Sequence, residues 1–428
     1  MKAPVWFLDT RPLRGNQPFR DMWIGSAASQ LGGQIATVAV LAQVWELTGS
    51  PVGTGAIGFA TGLPMVLFGL LGGTLADTVD RCALVRATTA GQLLAAAGLC
   101  VQALMDNTSV VLLLALVALG TSCSALGAPA RRTFPVRLLP AEQVAAGLAL
   151  TNVSFQAAML AGPAMAGLII ARWDFPAAYA IQALAVAVSM LTVLRLPAMK
   201  PEGGATGGGR RRTERGGWRV ILRCPTLWGS MATDMSATLL AMPIALFPLV
   251  NEVRFDGNPR TLGLFLSAIA VGGIVAGLLS GTVTRWRRSG LVQLVAAAAW
   301  GLALAGFGLV GQLWMALACL AVAGAADTVS VVTRSALVQL ETPDAYRGRV
   351  SSVEHVIGVA GPELGNFRGG LLASATSASF SLVTGGLSAV LAIAVVAVTN
   401  APLRAYRTPS AVEEPTVPEV ADAAKKVG

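Results

Sequence analysis

Apolar stretches of membrane-spanning length recur along the whole chain, separated by short polar or basic segments. A helix that crosses the hydrocarbon core of a bilayer needs about 20 apolar residues. Gly and Pro occur inside many of these stretches, which membrane helices tolerate. Twelve candidates lie near residues 20–47, 54–76, 84–105, 109–128, 142–171, 175–196, 227–250, 260–283, 290–311, 313–333, 351–373 and 377–400. The pattern predicts an all-α integral membrane protein with twelve transmembrane helices.

Two polar segments divide this pattern. Residues 200–217 are rich in Gly and Arg, which predicts a flexible basic linker, and residues 409–428 are polar and contain Pro, which predicts a disordered tail. The predicted organisation is a cytoplasmic N-terminus at 1–19, a six-helix bundle at 20–196, a basic linker at 197–226, a second six-helix bundle at 227–404 and a tail at 405–428.

Short motifs repeat between the two predicted bundles, six spans apart. They are residues 69–77 with 277–285, residues 132–140 with 334–343, and the Gly-Pro pairs at 162–163 and 361–362. Corresponding elements six spans apart indicate a parallel repeat related by an axis along the membrane normal. Transporters built in this way hold their substrate between the repeats.

Composition agrees with the membrane assignment and charge sets the orientation. The chain is 54% hydrophobic and 12% charged, against about 25% charged in soluble domains. Its net charge of +9 comes from short loops on one side of the predicted membrane, which argues against nucleic acid as a partner. The positive-inside rule therefore predicts that both termini and the linker are cytoplasmic. The basic loop residues include Arg81, Arg86, Arg131, Arg132, Arg137, Arg210, Arg211, Arg212, Arg215, Arg285, Arg287, Arg288, Arg334, Arg347 and Arg349.

Catalytic and cofactor motifs do not stand out. The five Cys residues are scattered, without the spacing of a metal site or a disulfide framework. The Gly-x-x-x-x-Gly-Lys-Ser/Thr phosphate loop is missing, so ATP is not expected to drive transport directly. We expect no enzyme activity, no cofactor and no metal, and an ion gradient as the energy source.

The loop after the second span carries a recognisable motif. It reads Gly73-Thr74-Leu75-Ala76-Asp77-Thr78-Val79-Asp80-Arg81. It resembles the Gly-x-Leu-Ala-Asp-Arg-x-Gly-Arg-Arg loop of the major facilitator superfamily, and the residues that depart from that pattern are Thr78, Asp80, Cys82 and Ala83. With twelve spans and a long middle loop, the resemblance covers about residues 19–404. It implies the major facilitator fold and a cytoplasmic gate formed by Gly73, Asp77 and Arg81. The alternative is a solvated loop that only fixes topology.

Three segments resemble the siderophore (enterobactin) exporter group of that superfamily. They are residues 19–23, residues 76–81 with an acidic residue before the Arg, and residues 341–350. The group often has an acidic residue in the first span, where this chain has Gln30 and Gln34. The Gly-Pro motif of the fifth span also resembles part of a motif found in family exporters.

Ionisable residues inside predicted spans are candidates for proton coupling, because a charge in a membrane is costly. Glu363 is the first choice, since a desolvated carboxyl group can hold a proton at neutral pH. Asp234, Asp327 and His355 follow, and Arg368 is predicted to hold an anionic substrate group or to tune Glu363. The alternative is a static ion pair between helices.

Uncharged polar residues complete the predicted cavity, and small residues indicate packing. Gln30, Gln34, Asn152, Gln156 and Asn366 are predicted to line the substrate cavity, with helix–helix hydrogen bonding as the alternative. Close packing between helices is predicted at Gly162, Pro163, Gly273, Gly277 and Gly281.

Together these features predict a proton-driven secondary active exporter that works by alternating access in the bacterial inner membrane. The expected partners are protons, the lipid bilayer and a small amphipathic substrate, a siderophore by resemblance, and the expected state is a monomer. Multidrug efflux is the alternative substrate range. A transporter-like sensor or scaffold is the alternative of another class.

Overall fold

A computed structural model describes residues 9–196, 199, 220–279, 288–342 and 346–407. Helices dominate this part of the chain and it contains no β-strand. The helices are α1 Arg11–Gly15, α2 Gln17–Thr48, α3 Pro51–Thr78, α4 Arg81–Leu104, α5 Val110–Arg132, α6 Phe134–Leu138, α7 Ala141–Leu194, α8 Pro225–Ala241, α9 Phe247–Phe255, α10 Pro259–Leu278, α11 Ser289–Leu309, α12 Leu313–Glu341, α13 Arg347–Ala375, α14 Ala378–Thr399 and α15 Ala401–Ala405. A short 3₁₀ turn at Ile244–Leu246 lies between α8 and α9.

Ten helical segments in the described ranges are long and apolar enough to cross a membrane. One of them, Glu142–Leu194, has 53 residues and is broken at Asp174, whose φ of 64° and ψ of −174° are not helical. It therefore contains two spans, the fifth and the sixth. Helix α13 has 29 residues, also enough to span, but its charged side chains lower its hydropathy. Counting these two gives the twelve predicted spans.

Polar residues in the short loops set where the helices begin. The side chain of Asn16 accepts a hydrogen bond from the backbone N–H of Phe19, 2.9 Å away, at the start of α2. Asp80 does the same for Ala83 at the start of α4, at 2.8 Å. Such caps satisfy N–H groups that have no partner inside the helix. Asp80, one of the departures from the family loop, therefore has a structural role.

The described residues form two compact units. One unit contains those up to Thr206 together with Phe247–Ser267, and the other contains those of Gly207–Leu246 and those from Ala268 onward. The predicted bundle boundaries stay predictions, and most of the predicted linker and tail lies outside the described residues.

In the first unit, α2 packs along α7, α3 along α5, and α4 against both α5 and α7. Small residues permit close crossings: a Cβ at Gly72 of α3 would lie 2.6 Å from the carbonyl oxygen of Leu126 on α5. The first part of α10, up to Ser267, belongs to this unit and contacts α7. There, Ser267 donates a hydrogen bond to the carbonyl oxygen of Leu160, 3.0 Å away.

In the second unit, α11 packs against α12 and α14, and α8 packs against α13 and α14. Buried polar contacts fix these helices: the hydroxyl of Ser230 on α8 donates to the side chain of Gln293 on α11 at 2.9 Å. The seventh span is irregular, because it is divided into α8 and the 3₁₀ turn, which belong to this unit, and α9, which belongs to the first unit.

Candidate functional site

A buried charge cluster joins three helices of the second unit. Arg334 of α12 is only 7% exposed and forms an ion pair with Asp234 of α8. Its Nε atom also lies 3.4 Å from Oε1 of Glu354 on α13. The same carboxylate oxygen accepts a hydrogen bond from the hydroxyl of Ser335 at 3.2 Å. One cation therefore connects the seventh, tenth and eleventh spans.

Asp327 lies within electrostatic range of Asp234 and Arg334. It precedes Arg334 by seven residues on α12, which places both on the same face of that helix. Two carboxylates contact Arg334, and the third, Asp327, lies on the same face of α12. The three carboxyl groups carry an excess of negative charge over the one arginine when all are ionised, and binding of a proton to one of them would reduce that excess.

The position of Arg334 corrects the sequence analysis, which assigned this residue to a basic cytoplasmic loop. Helix α12 continues for seven residues beyond it, to Glu341, and the side chain is buried. The seven-residue spacing from Asp327 was a signal that could have placed Arg334 inside the span. Glu354 lies in the predicted eleventh span and was not chosen as a site residue from the sequence.

Glu363, the first choice for proton coupling, lies elsewhere on α13. It is half-buried and follows Glu354 by nine residues, about 13 Å along a helix axis. Asp234 and Asp327 therefore lie in one cluster, whereas Glu363 is separate from it. His355 lies on α13 next to Glu354, but its side chain is outside the described residues.

The break in the seventh span has a simple local cause. Helix α8 ends at Ala241, and Met242 is extended with φ −67° and ψ 122°. Pro243 has no N–H to donate to the carbonyl of Leu239, so a continuous helix would leave that oxygen without its normal partner. The chain turns through Ile244–Leu246 before α9 begins.

Two side chains of α13 satisfy the backbone groups at this break. Nε of Arg368 donates to the carbonyl oxygen of Leu239 at 3.0 Å, and its guanidinium also contacts the carbonyl oxygen of Leu240. The side-chain oxygen of Asn366, which is buried, accepts from the backbone N–H of Ala245 at 3.1 Å. These contacts give both residues a positioning role on the seventh span, and their predicted role in the substrate cavity stays a prediction.

Glycines on α13 permit this approach. A Cβ at Gly365 would lie 2.9 Å from the Cβ of Met242, and one at Gly369 would lie 3.5 Å from the carbonyl oxygen of Met242. Gly361, one helical turn earlier on the same face, packs against Thr238. The eleventh span is therefore in direct contact with the backbone around the break.

The predicted polar cavity residues of the first unit differ in exposure. Asn152 is exposed and Gln156 is half-buried. Gln34 packs against Gly162, as a helix–helix contact would. The side-chain oxygen of Gln30 is buried and has no hydrogen-bond partner among the described residues. The predicted role of these residues in the substrate cavity stays a prediction.

The gate residues are only partly described. Gly73 lies in α3, where a Cβ would meet no atom of the described residues within 4 Å, and the close crossing is made by Gly72 instead. The backbone N–H of Arg81 donates to the carbonyl oxygen of Met199 at 3.1 Å. The side chain of Asp77 is outside the described residues, so the gate stays a prediction.

Some of the predicted packing residues make close contacts between helices and others do not. Pro163 presents its carbonyl oxygen to Gly263, and a Cβ at Gly273 would lie 2.9 Å from the hydroxyl of Thr328. A Cβ at Gly277 would meet no described atom within 4 Å, so the crossing of α10 with α12 is carried one turn earlier. Gly281 is outside the described residues.

Solved transporters share this architecture. A peptide transporter POT matches with a TM-score of 0.74 at 10% identity over 91% of this chain and 95% of its own. A bacterial homologue of the human lysosomal transporter Spinster matches with a TM-score of 0.69 at 14% identity, over 94% and 100% of the two chains. A D-xylose–proton symporter gives 0.67 at 12% identity, over 88% and 96%. The chain therefore has the fold of these solved membrane transporters.

Sequence comparison defines the family. A profile described as transmembrane secretion effector matches residues 9–426, and the chain belongs to that family of major facilitator transporters. The chain is 26% identical over 426 residues to the enterobactin exporter EntS of Citrobacter koseri, covering 98% of this chain and 99% of that protein. The enterobactin exporter EntS of Shigella boydii is 25% identical over 400 residues, covering 92% and 96%. The predicted superfamily and the resemblance to the siderophore exporter group are confirmed.

Proposed function

We propose that this transporter is a proton-driven exporter of a small amphipathic molecule of the siderophore class. It would act in the bacterial inner membrane with both termini in the cytoplasm. The substrate class is supported by the relatives, which are enterobactin exporters by name. Proton coupling is supported by one observation above the others: Arg334 is buried among carboxylates from three spans.

The coupling mechanism follows from the energetics of a buried ion pair. Removing one partner of such a pair leaves the other charge uncompensated, at a cost of about 3–5 kcal/mol. Protonation of Asp234 removes the negative charge of that carboxylate, so Arg334 loses it as an ionic partner. The seventh, tenth and eleventh spans would then lose a shared electrostatic contact, and the transporter would favour its other conformation. Loss of the proton would restore the contact.

This mechanism changes the order of the candidates. Asp234 becomes the first choice for the proton carrier because it pairs directly with Arg334. Asp327 is next because it interacts electrostatically with both Asp234 and Arg334. Glu363 becomes a secondary choice because it lies apart from the cluster. Arg368 and Asn366 would keep the break of the seventh span in one geometry during the cycle.

Inverted membrane vesicles with an acidified lumen and a fluorescent pH reporter test the proposal. A catecholate siderophore is added first, followed by a panel of cationic drugs. Proton release on siderophore addition supports siderophore antiport, whereas release with several drugs favours multidrug efflux. No proton release with any compound contradicts coupling to these substrates, and a sensor or scaffold then becomes the better explanation.

Variants identify the residue that couples. We expect Asp234→Asn to abolish siderophore-induced proton release and Glu363→Gln to reduce it less. Glu142→Gln is the matched control, because Glu142 is an exposed carboxylate in the first turn of α7. The reverse order, with Glu363→Gln inactive and Asp234→Asn normal, would restore the first sequence-based choice and reject the cluster.

A further inference from the structure

The second unit has an apolar groove between α11 and α12. Its volume is about 830 Å³. Each helix contributes one face, with side chains three or four residues apart, and several of these side chains are exposed, among them Val295 at 60% and Val322 at 55%. The apolar lining consists of Leu291, Val292, Val295, Ala296, Ala299, Val322, Ala325, Ala326 and Val329. A surface of this kind on a spanning helix pair suits an acyl chain.

One end of the groove is basic. Arg288 and Arg407 line it, both are exposed, and neither forms an ion pair with any residue in the described ranges. They are brought together by a backbone contact from the N–H of Gly290 to the carbonyl oxygen of Tyr406 at 3.5 Å. The groove therefore combines two unpaired cations at one end with an apolar lining along its length.

The start of α11 adds hydrogen-bond donors at the same end. Arg288 occupies the N-cap position of this 21-residue helix, and no side chain caps its first turn, in which the N–H of Gly290 already donates to Tyr406. The hydroxyl of Ser289 is buried and has no hydrogen-bond partner among the described residues. Free N–H groups at a helix start, with arginine beside them, favour an anion such as a phosphate.

We propose that this groove is a binding site for an anionic glycerophospholipid, with its phosphate between Arg288 and Arg407 and one acyl chain along α11 and α12. The groove extends from Arg288 to Ala299, and these eleven steps along the helix correspond to about 16 Å at 1.5 Å per residue. One leaflet of the hydrocarbon core is about 15 Å thick, half of about 30 Å. The length thus matches one acyl chain in one leaflet.

Net charge selects among phospholipids. Two arginines without an acidic partner favour a headgroup with a net negative charge over a zwitterionic one, and basic pockets between spans on the cytoplasmic side have this preference. The basic end lies on the side that the loop charges predict to be cytoplasmic. Phosphatidylglycerol is therefore the expected ligand rather than phosphatidylcholine of the same chain length.

Native mass spectrometry of the purified full-length protein tests this site. The protein is mixed with equal amounts of phosphatidylglycerol and phosphatidylcholine with matched acyl chains. We expect preferential retention of phosphatidylglycerol, and a fall in that preference of roughly tenfold in Arg288→Gln/Arg407→Gln. The matched control is Arg14→Gln/Arg132→Gln, which removes two exposed arginines of the first unit. Equal retention of both lipids, or an unchanged preference in the groove variant, overturns the proposal.

Two further measurements separate a lipid from a free anion. Ala299→Phe should block the acyl part of the groove and reduce retention, whereas Leu302→Phe, on an exposed part of α11 outside the groove, should not. Inorganic phosphate at millimolar concentration should not displace the lipid. Displacement by phosphate, or normal retention in Ala299→Phe, would mean that the arginines bind a free anion and would reject the lipid site.

Discussion

Arg131 in the first unit and Arg334 in the second occupy comparable places, near the ends of the fourth and tenth spans, but they have different partners. Arg131 donates to the hydroxyl of Thr89 at 2.7 Å and forms no ion pair with the described residues. Arg334 is held by the carboxylates of Asp234 and Glu354. The hydroxyl of Thr89 is uncharged at any physiological pH, whereas a carboxylate loses its negative charge when it binds a proton. This difference is the reason for placing the proposed proton site in the second unit.

The largest effect is expected from Asp234→Asn, which removes the carboxylate that Arg334 contacts. The variant leaves Arg334 with an incomplete set of partners, so we expect loss of coupled transport and a destabilisation of about 3–5 kcal/mol. Thermal unfolding in detergent measures the stability. The double variant Asp234→Asn/Arg334→Gln should regain part of the stability but no coupling, and full coupling in either variant would refute the role of the pair.

Arg368→Gln should have the next largest effect. It removes the charged donor from the carbonyl oxygens at the break of the seventh span, and hydrogen bonds to charged groups contribute about 1.5–3 kcal/mol. We expect slower export with the proton-to-substrate ratio unchanged, because the residue positions the span and lies apart from the proton site. A changed ratio in flux measurements would argue that Arg368 takes part in coupling.

Thr89→Val tests the role of Arg131, the arginine of the first unit. It removes the neutral acceptor of Arg131, and we expect a destabilisation of about 1–3 kcal/mol. The pH dependence of export should stay as in the parent protein. If Thr89→Val shifted the pH profile as strongly as Asp234→Asn, the two arginines would be functionally equivalent and the contrast between the units would fail.

Asp80→Ala should have the smallest effect. It removes the cap of α4, and loss of such a cap costs about 1 kcal/mol. Export should fall little, because the side chain only completes the start of the helix. Asp80→Asn, which keeps a good capping residue, should restore the stability, and failure of that rescue would indicate a role for the carboxylate in the gate.

Much of the fold could be predicted from the sequence because membrane helices are defined by length and apolarity. The internal repeat and the family could also be predicted, because short sequence motifs carry both. Arg334 was misplaced because the apolar run ends before the helix does, and only the packing of α8 and α13 shows that its surroundings are buried. The contacts of Arg368 could not be predicted, since they depend on which helix faces the break at Pro243.

The most direct test of the central claim is proton release on siderophore binding, measured with purified protein in a weakly buffered solution. We expect the parent protein and Glu142→Gln to release protons when the siderophore binds. We expect Asp234→Asn to bind the siderophore without releasing protons. Proton release by Asp234→Asn equal to that of the parent protein would contradict coupling at the Arg334 cluster.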